Sequence, residues 1–144
     1  MPEYIARLDT IARYDILAAV APIRTDPRTM LPLTPAMLHV LLALADGDKH
    51  GYAIIKEVSR RTAGDVQLGA GTLYALIKRL LADDLIVETD ERPDPALDDE
   101  RRRYYRLTRF GREVAIAEVR RLESIVSQAH AKKLLRAPVK GSSR

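Results

Sequence analysis

The spacing of apolar residues changes from helical to extended at about residue 85. Three segments between residues 34 and 83 carry apolar residues three and four apart, as amphipathic helices do. Residues 85–89 and 103–107 are instead short and rich in β-branched or aromatic side chains, which predicts a β-hairpin. A further helical segment follows. Three helices, a hairpin and a closing helix occur in this order in a winged helix. We therefore predict a mainly α fold with a small two-stranded β-wing.

Capping residues and prolines set the limits of the predicted elements. Thr34 and Pro35 open the first helix of the winged-helix unit as N-cap and first helical residue. The next two helices are predicted at about 51–62 and 70–83, and Thr108 caps a last helix that runs to about 135. Upstream, the pattern predicts an amphipathic helix over 3–20. The predicted domains are an N-terminal accessory helix and linker (1–33), a winged-helix DNA-binding domain (34–107), a C-terminal dimerisation helix (108–136) and a disordered tail (137–144).

The helix at 70–83 has an outer face of small and cationic residues. When its leucines and Ile77 point inward, the opposite face and its flanks carry six of its residues: Gly71, Thr72, Ala75, Lys78, Arg79 and Ala82. Small residues beside two cations allow a helix to enter a DNA major groove, where the cations reach phosphates or guanine edges. The alternative is an ordinary solvated helix face, and periodicity alone does not decide between them.

An arginine-rich run occupies the second predicted strand. Arg101, Arg102, Arg103 and Arg106 surround Tyr104 and Tyr105, so that cations and phenolic hydroxyls are available for phosphates. The alternative is that these arginines pair with the acidic residues 98–100 just before them. Because the hairpin tip is acidic, we expect the arginine-bearing base to contact DNA. The net charge of +4 and the pI near 9.5 favour a polyanionic partner.

Several short motifs, in order, resemble the PadR family of transcriptional regulators over residues 33–122. They are His50-Gly51-Tyr52, Gly71-Thr72-Leu73-Tyr74, Lys78-Arg79-Leu80, Leu85-Ile86, and Arg103-Tyr104-Tyr105-Arg106-Leu107-Thr108 with Gly111. The resemblance implies a dimeric winged-helix protein that binds double-stranded DNA, usually a repressor released by a small molecule or a stress signal. It also implies that the helix carrying Gly71, Thr72, Tyr74, Lys78 and Arg79 reads the groove. Ala70 and Ala75 depart from the prolines common in the family, and Asp84 departs from its usual glycine turn.

The last helix carries the spacing of a paired-helix seam. Five residues alternate steps of four and three: Ala115, Val119, Leu122, Val126 and Ala129. The alternative is that this stripe packs on its own domain. A helix of about 28 residues is longer than a winged-helix core needs, so we predict a homodimer. A twofold axis would place two groove-reading helices about one DNA turn apart, and predicts a pseudo-palindromic operator.

Other classes of function find little support in the sequence. The chain has no cysteine, no Gly-rich phosphate loop and no histidine paired with a nucleophile and an acid. We therefore predict that it is not an enzyme and that it binds no cofactor. Asp46, Asp48 and His50 lack a fourth ligand nearby, so we predict no metal site, and we expect His50 to be structural rather than a pH switch. Tyr52 is expected to pack or to bond a neighbouring carbonyl.

The sequence also bears on the cellular location, on a small-molecule effector and on an alternative function. The apolar stretches are too short to span a membrane, which predicts a cytoplasmic protein with no membrane partner. A small-molecule effector stays an open alternative, with a site near Tyr4, Tyr14 or the C-terminal helix, although no group of residues identifies it. The absence of tryptophan argues against a site that stacks flat aromatic compounds. The rival function is a winged-helix protein-interaction module without sequence-specific DNA binding, with the acidic wing as its docking surface.

Overall fold

The computed structural model describes residues 25–90 and 103–136. It contains four α-helices and three short strands in these ranges, preceded by one turn of 3-10 helix. The helices are α1 (Pro35–Leu44), α2 (Gly51–Arg61), α3 (Ala70–Ala82) and α4 (Arg109–Ala131); the strands are β1 (Lys49–His50), β2 (Ile86–Thr89) and β3 (Tyr104–Leu107); and the 3-10 helix is Pro27–Met30. The predicted fold class is confirmed. The predicted helix over 3–20 and tail over 137–144 lie outside the described residues.

The helices form where the sequence provides caps. The Thr34 hydroxyl accepts the Met37 N–H at 3.2 Å, and Pro35 occupies the first helical position of α1. At the start of α4, the Thr108 hydroxyl accepts the Gly111 N–H at 2.9 Å. These two caps begin α1 and α4 at the predicted positions.

One hydrophobic core joins the helices to the sheet. Its largest fully buried apolar side chains come from every helix and from the start of the hairpin: Val40, Leu41, Ile54, Val58, Leu73, Leu80, Leu85 and Val114. Burying a side chain of this size stabilises a fold by about 1.5–3 kcal/mol. The inner faces of α2 and α3 are therefore fixed by packing, which leaves their outer faces to solvent.

The sheet has one strand more than the predicted hairpin. Strand β3 lies in the centre and pairs antiparallel with β2 on one side and with β1 on the other. Both Tyr104 and Tyr105 are buried, Tyr105 in the core and Tyr104 against the ring of His50 from β1. Alternation along the strand predicts that Tyr104 and Tyr105 point to opposite sides, so that only one of the two phenols can face DNA. Because both are buried, neither is placed to bond a phosphate.

Helix α4 begins in close contact with the hairpin. Gly111 lies so near β2 that an added Cβ would be 1.9 Å from the Leu85 carbonyl oxygen. The Thr108 N–H and hydroxyl also donate to this oxygen, at 3.1 and 3.0 Å.

Helix α4 ends at Ala131, four residues before the predicted end. Lys133 adopts the left-handed conformation (φ 61°) just beyond it, and this conformation ends an α-helix.

The segment before α1 is attached to α4 by a buried carboxylate. The Glu118 side chain is 1% exposed, and its Oε2 accepts the Leu33 N–H at 2.7 Å. Its Oε1 accepts Arg121 Nε at 2.6 Å. The 3-10 helix, capped by Asp26, packs against the same stretch of α4. Part of the segment that the sequence suggests as a linker is thus ordered against α4.

Candidate nucleic-acid interface

Helix α3 separates its residues into a buried and an exposed side. Leu73, Ile77 and Leu80 are 3% exposed or less and lie in the core. The predicted DNA-contacting residues of this helix are all exposed: Gly71, Thr72, Tyr74, Ala75, Lys78 and Arg79. They form one continuous surface without a carboxylate between residues 70 and 82, which we call the α3 outer face. Its shape and charge suit a polyanion.

The cations of the α3 outer face are available for a ligand. Lys78 makes no ion pair with any residue that the structure describes. Arg79 lies 3.9 Å from Asp83, a long contact in which the arginine side chain stays 68% exposed. At the start of the helix, nothing lies within 4 Å of the point where a Cβ on Gly71 would stand. A DNA backbone or base edge can therefore approach the main chain closely here.

The arginine run of the wing divides into different roles. Arg103 is 72% exposed, with Nε 3.7 Å from a Glu88 carboxylate oxygen, so it is open to an external phosphate. Arg106 instead forms a bidentate pair with Asp48, at 3.1 and 2.8 Å. It thereby ties β3 to the loop before β1. Arg101 and Arg102 lie outside the described residues.

Burial also affects the chemistry of the wing tyrosines. Burial raises the pKa of the Tyr105 phenol above its ordinary value, and the nearby Glu88 carboxylate raises it further. The phenol is therefore held neutral inside the domain. A side chain in this environment supports the wing and does not contact a phosphate.

The His50-Gly51-Tyr52 motif links α2 to the sheet. His50 caps α2, since its Nδ1 accepts the Ala53 N–H at 3.1 Å, and its ring meets Tyr104 edge-on with centroids 5.4 Å apart. Gly51 packs tightly, because a Cβ there would stand 3.3 Å from Leu73 Cδ2. Tyr52 is 59% exposed, and its ring lies parallel to the His50 ring with the centroids 6.5 Å apart, so it packs on the motif at the surface and outside the core.

The three candidate metal ligands before α2 each have another partner. Asp46 accepts from Lys49 Nζ at 2.5 Å, and this bond lowers the pKa of its carboxyl group. Asp48 holds Arg106, and His50 caps α2. Within residues 25–90 and 103–136, no group of three potential ligands is arranged to bind a metal ion.

The predicted seam of α4 is partly buried and partly exposed. Ala115 is 8% exposed and belongs to the core of its own domain, so it is unavailable to a second chain. Val119, Leu122 and Val126 are 43, 37 and 45% exposed, and Ala129 is half-buried. Ile116 and Ile125 extend this exposed row, as the sequence indicates. We call this row of exposed apolar side chains the α4 stripe: Ile116, Val119, Leu122, Ile125 and Val126.

A groove lies between the 3-10 helix and α4. Its volume is about 780 Å³, within the usual range of small-molecule sites. Its lining is aliphatic and charged, and includes Leu31, Ile116, Arg120 and Arg121.

No helix of the described part of the chain is long and apolar enough to cross a membrane.

In sequence, the chain is similar to known transcriptional regulators. Residues 40–117 match the model of the "Transcriptional regulator PadR-like family". The chain is 35% identical over 91 residues to the transcriptional regulator Rv3488 of Mycobacterium tuberculosis, and the match covers 63% of this chain and 78% of that protein.

Solved structures agree with the sequence match. A PadR family transcription regulator from Clostridium difficile is 25% identical with a TM-score of 0.51, over 69% of this chain and 97% of that one. A Streptococcus transcriptional regulator has a TM-score of 0.55 at 21% identity, over 68% of this chain and 91% of that one, and supports the fold alone.

Proposed function

Because the chain belongs to the PadR-like family of transcriptional regulators, we propose that it is a homodimeric repressor that places α3 in the major groove of a pseudo-palindromic operator. The α3 outer face is the observation that carries this proposal. It presents small residues and two cations outward, while the opposite side of the helix is held in the core. In this arrangement, Lys78 and Arg79 bind phosphates or guanine edges, and Gly71, Thr72 and Ala75 allow a close approach.

The base of the wing supplies a second contact in this proposal. Arg103 is exposed and lies at the start of β3, and Arg101 and Arg102 precede it in the chain. Arginines at this position neutralise phosphates on the strand beside the groove. The wing then sets the orientation of the domain, while α3 reads the sequence.

The α4 stripe supports dimerisation. Beyond Arg121 the helix leaves the core, and its side chains are exposed or half-buried up to Ala131. Leu122, Ile125 and Val126 nevertheless remain apolar, with 37 to 48% of each exposed. A contiguous exposed apolar row at this spacing marks an interface between helices. We propose that two copies of α4 pair through it.

Sequencing of chromosomal DNA that co-purifies with the protein tests the proposal, followed by titration of the recovered duplex. The double variant Lys78→Ala/Arg79→Ala should lose operator binding while the dimer persists. Lys132→Ala/Lys133→Ala removes the same charge beyond the end of α4 and serves as the control. Unchanged operator binding by the first variant would refute the assignment of α3.

Titration at several salt concentrations separates this proposal from the rival function. Phosphate neutralisation makes log K fall steeply with log salt, whereas a protein-interaction module has no reason to bind a duplex tightly. Affinity for DNA that stays micromolar or weaker and does not depend on sequence would favour the protein-interaction module.

A test of the dimer uses the α4 stripe directly. Leu122→Glu/Val126→Glu places two carboxylates on the proposed seam, where they would be buried and would repel their symmetry copies. Light scattering after size exclusion should then give the mass of one chain, with circular dichroism unchanged. A variant that still elutes with the wild-type dimer mass would exclude this stripe as the interface.

A further inference from the structure

The groove between the 3-10 helix and α4 takes no part in the contacts proposed above. One of its walls comes from the segment before α1 and the other from the first half of α4, and its volume suits a small molecule. The match to the PadR-like family covers only residues 40–117. The first wall, together with Arg120 and Arg121 of the second, therefore lies outside the part of the chain that resembles the family.

The apolar surface of the groove is aliphatic. It is supplied by Pro27, Leu31, Ile116 and Ala117, and no residue of the lining has an aromatic ring. Ile116 is 44% exposed, so its side chain can still lose contact with water. Alkyl groups gain free energy when they leave water for such a surface, whereas a flat ring finds no stacking partner here. The lining therefore suits a ligand with an aliphatic body.

Arg120 is the cation of the groove that is available to a ligand. It is exposed and forms no ion pair with any residue of the described part of the chain. The other two arginines already bind carboxylates. Arg28 donates to Asp26 at 2.6 to 3.2 Å, and Arg121 Nε donates to the buried Glu118 at 2.6 Å. An available guanidinium binds a carboxylate well, because it can form two parallel N–H···O bonds with it.

The two carboxylates that line the groove do not oppose an anion at Arg120. The Asp26 carboxylate is balanced by its bonds to Arg28. Glu113 has Arg109 Nε at 3.5 Å from its Oε1, and it precedes Arg120 by seven residues, or about 10 Å along the helix. The groove thus attracts negative charge at its Arg120 end.

We propose that this groove binds an aliphatic carboxylate, with the carboxylate group on Arg120 and the alkyl chain on Leu31 and Ile116. The ligand contacts both the segment before α1 and α4, two elements that the bond from the Leu33 N–H to Glu118 already connects. The inference goes beyond the proposed function, because this binding requires neither DNA nor an operator.

A dimer built on the far half of the α4 stripe leaves the proposed site accessible. At 100° per residue, Leu122 and Val126 point at least about 120° away from Arg120 around the helix. Contacts between two copies of α4 through these residues therefore do not cover the guanidinium. This separation allows the ligand site and the dimer seam to be tested independently.

Isothermal titration calorimetry of the full chain with decanoate tests the site. We expect saturable binding with a Kd of about 0.1 mM. Octanoate is shorter by two methylene groups and should bind about fourfold more weakly, since a fully buried methylene contributes about fourfold and an open groove covers about half of it. Decylammonium has the same length of chain with the opposite charge and should not bind.

Substitutions in α4 locate the site. Arg120→Ala should weaken decanoate binding by about tenfold or more, because it removes the charge-assisted hydrogen bonds. Arg120→Lys keeps the charge and should weaken binding by about threefold at most. Lys132→Ala, beyond the end of α4, is the control for net charge, and Leu122→Glu/Val126→Glu is the control for the α4 stripe. Both controls should bind decanoate as wild type does, and circular dichroism shows whether each variant is folded.

Four results would overturn the proposal. Equal affinity of Arg120→Ala and wild type for decanoate would mean that the guanidinium is not the binding group. Loss of binding in Leu122→Glu/Val126→Glu would mean that the alkyl chain binds on the α4 stripe. Equal binding of decylammonium would mean that the charge of the ligand is irrelevant. No binding of decanoate by the full chain would leave residues 1–24 or a second copy of the chain as the occupant of the groove.

Discussion

The contact between Gly111 and β2 predicts a large loss of stability in Gly111→Ala. The added Cβ would stand 1.9 Å from the Leu85 carbonyl oxygen and 2.8 Å from its carbon, whereas Cβ atoms essentially never come nearer than 3.0 Å. Both neighbours are backbone atoms, so no side chain can rotate to relieve the clash. Either α4 or the start of β2 must move by about 1 Å, and overpacking of this kind costs about 1–3 kcal/mol.

The same movement disturbs the cap of α4. Two hydrogen bonds run from Thr108 to the Leu85 oxygen, and each contributes about 1 kcal/mol. Alanine is favoured over glycine in a helix by about 1 kcal/mol, which offsets part of the loss. We therefore expect Gly111→Ala to lower the free energy of unfolding by about 2–4 kcal/mol, a large share of the 5–15 kcal/mol typical of a domain.

Urea denaturation followed by circular dichroism at a fixed protomer concentration measures this difference. Gly71→Ala is the matched control, since it is the same substitution in the first turn of a helix with no atom within 4 Å of the new Cβ. The control should unfold at the wild-type urea concentration or slightly above it. The free energies of unfolding of Gly111→Ala and wild type could instead agree within about 0.5 kcal/mol, roughly the error of such measurements. That result would mean that Gly111 does not approach the Leu85 carbonyl group as closely as described.

Other substitutions test the buried polar groups and one cap. Glu118→Ala should lower the free energy of unfolding by about 1–3 kcal/mol in urea denaturation, because it leaves the Leu33 N–H buried without its acceptor; a loss below about 0.5 kcal/mol would contradict this. The raised pKa of Tyr105 means that the unfolded chain ionises first as pH rises above 10.0, so stability is lost there. Thermal melts of Tyr105→Phe should show a shallower fall above this pH, and an equally steep fall would count against burial as the cause. Thr34→Ala should cost about 1 kcal/mol in the same denaturation assay, through loss of the α1 cap, and no change would mean that the cap is unimportant.

The elements that the sequence predicts well are those whose signals are local. Thr34 and Thr108 cap helices with their own hydroxyls, and the outer face of α3 follows from the spacing of its leucines. Asp84, which replaces a glycine of the family pattern, does adopt a left-handed conformation with φ 57°. Each of these features depends on residues within one or two helical turns.

The features that the sequence does not reveal depend on distant partners. Strand β1 has two residues and exists because β3 pairs with it across more than fifty positions. That pairing makes β3 central and brings the His50 ring against Tyr104, so that Tyr104 and Tyr105 are both buried although they point to opposite faces of the sheet. Glu118 is likewise buried and bonded to Leu33 of the segment before α1, which no local period indicates.

The exposed side of α2 illustrates a different difficulty. Tyr52 lies in a motif whose other members are structural, and its type suits a core as well as a surface. The spacing of Tyr52, Lys56 and Arg60 by four residues was the available signal of exposure, because this row contains no apolar aliphatic residue and no acid.

Helix α4 has no joint between its two halves. Its first turns lie in the domain core through Gly111, Val114 and Glu118, and the same uninterrupted helix carries the α4 stripe beyond Arg121. Twenty-three residues make a rod about 35 Å long. In a dimer built on the stripe, a tilt of about 10° at the junction of the two rods would swing the far end by about 6 Å, nearly two base-pair steps of 3.4 Å. A small rearrangement where two chains meet would thus be enough to move both α3 helices out of alignment with the duplex.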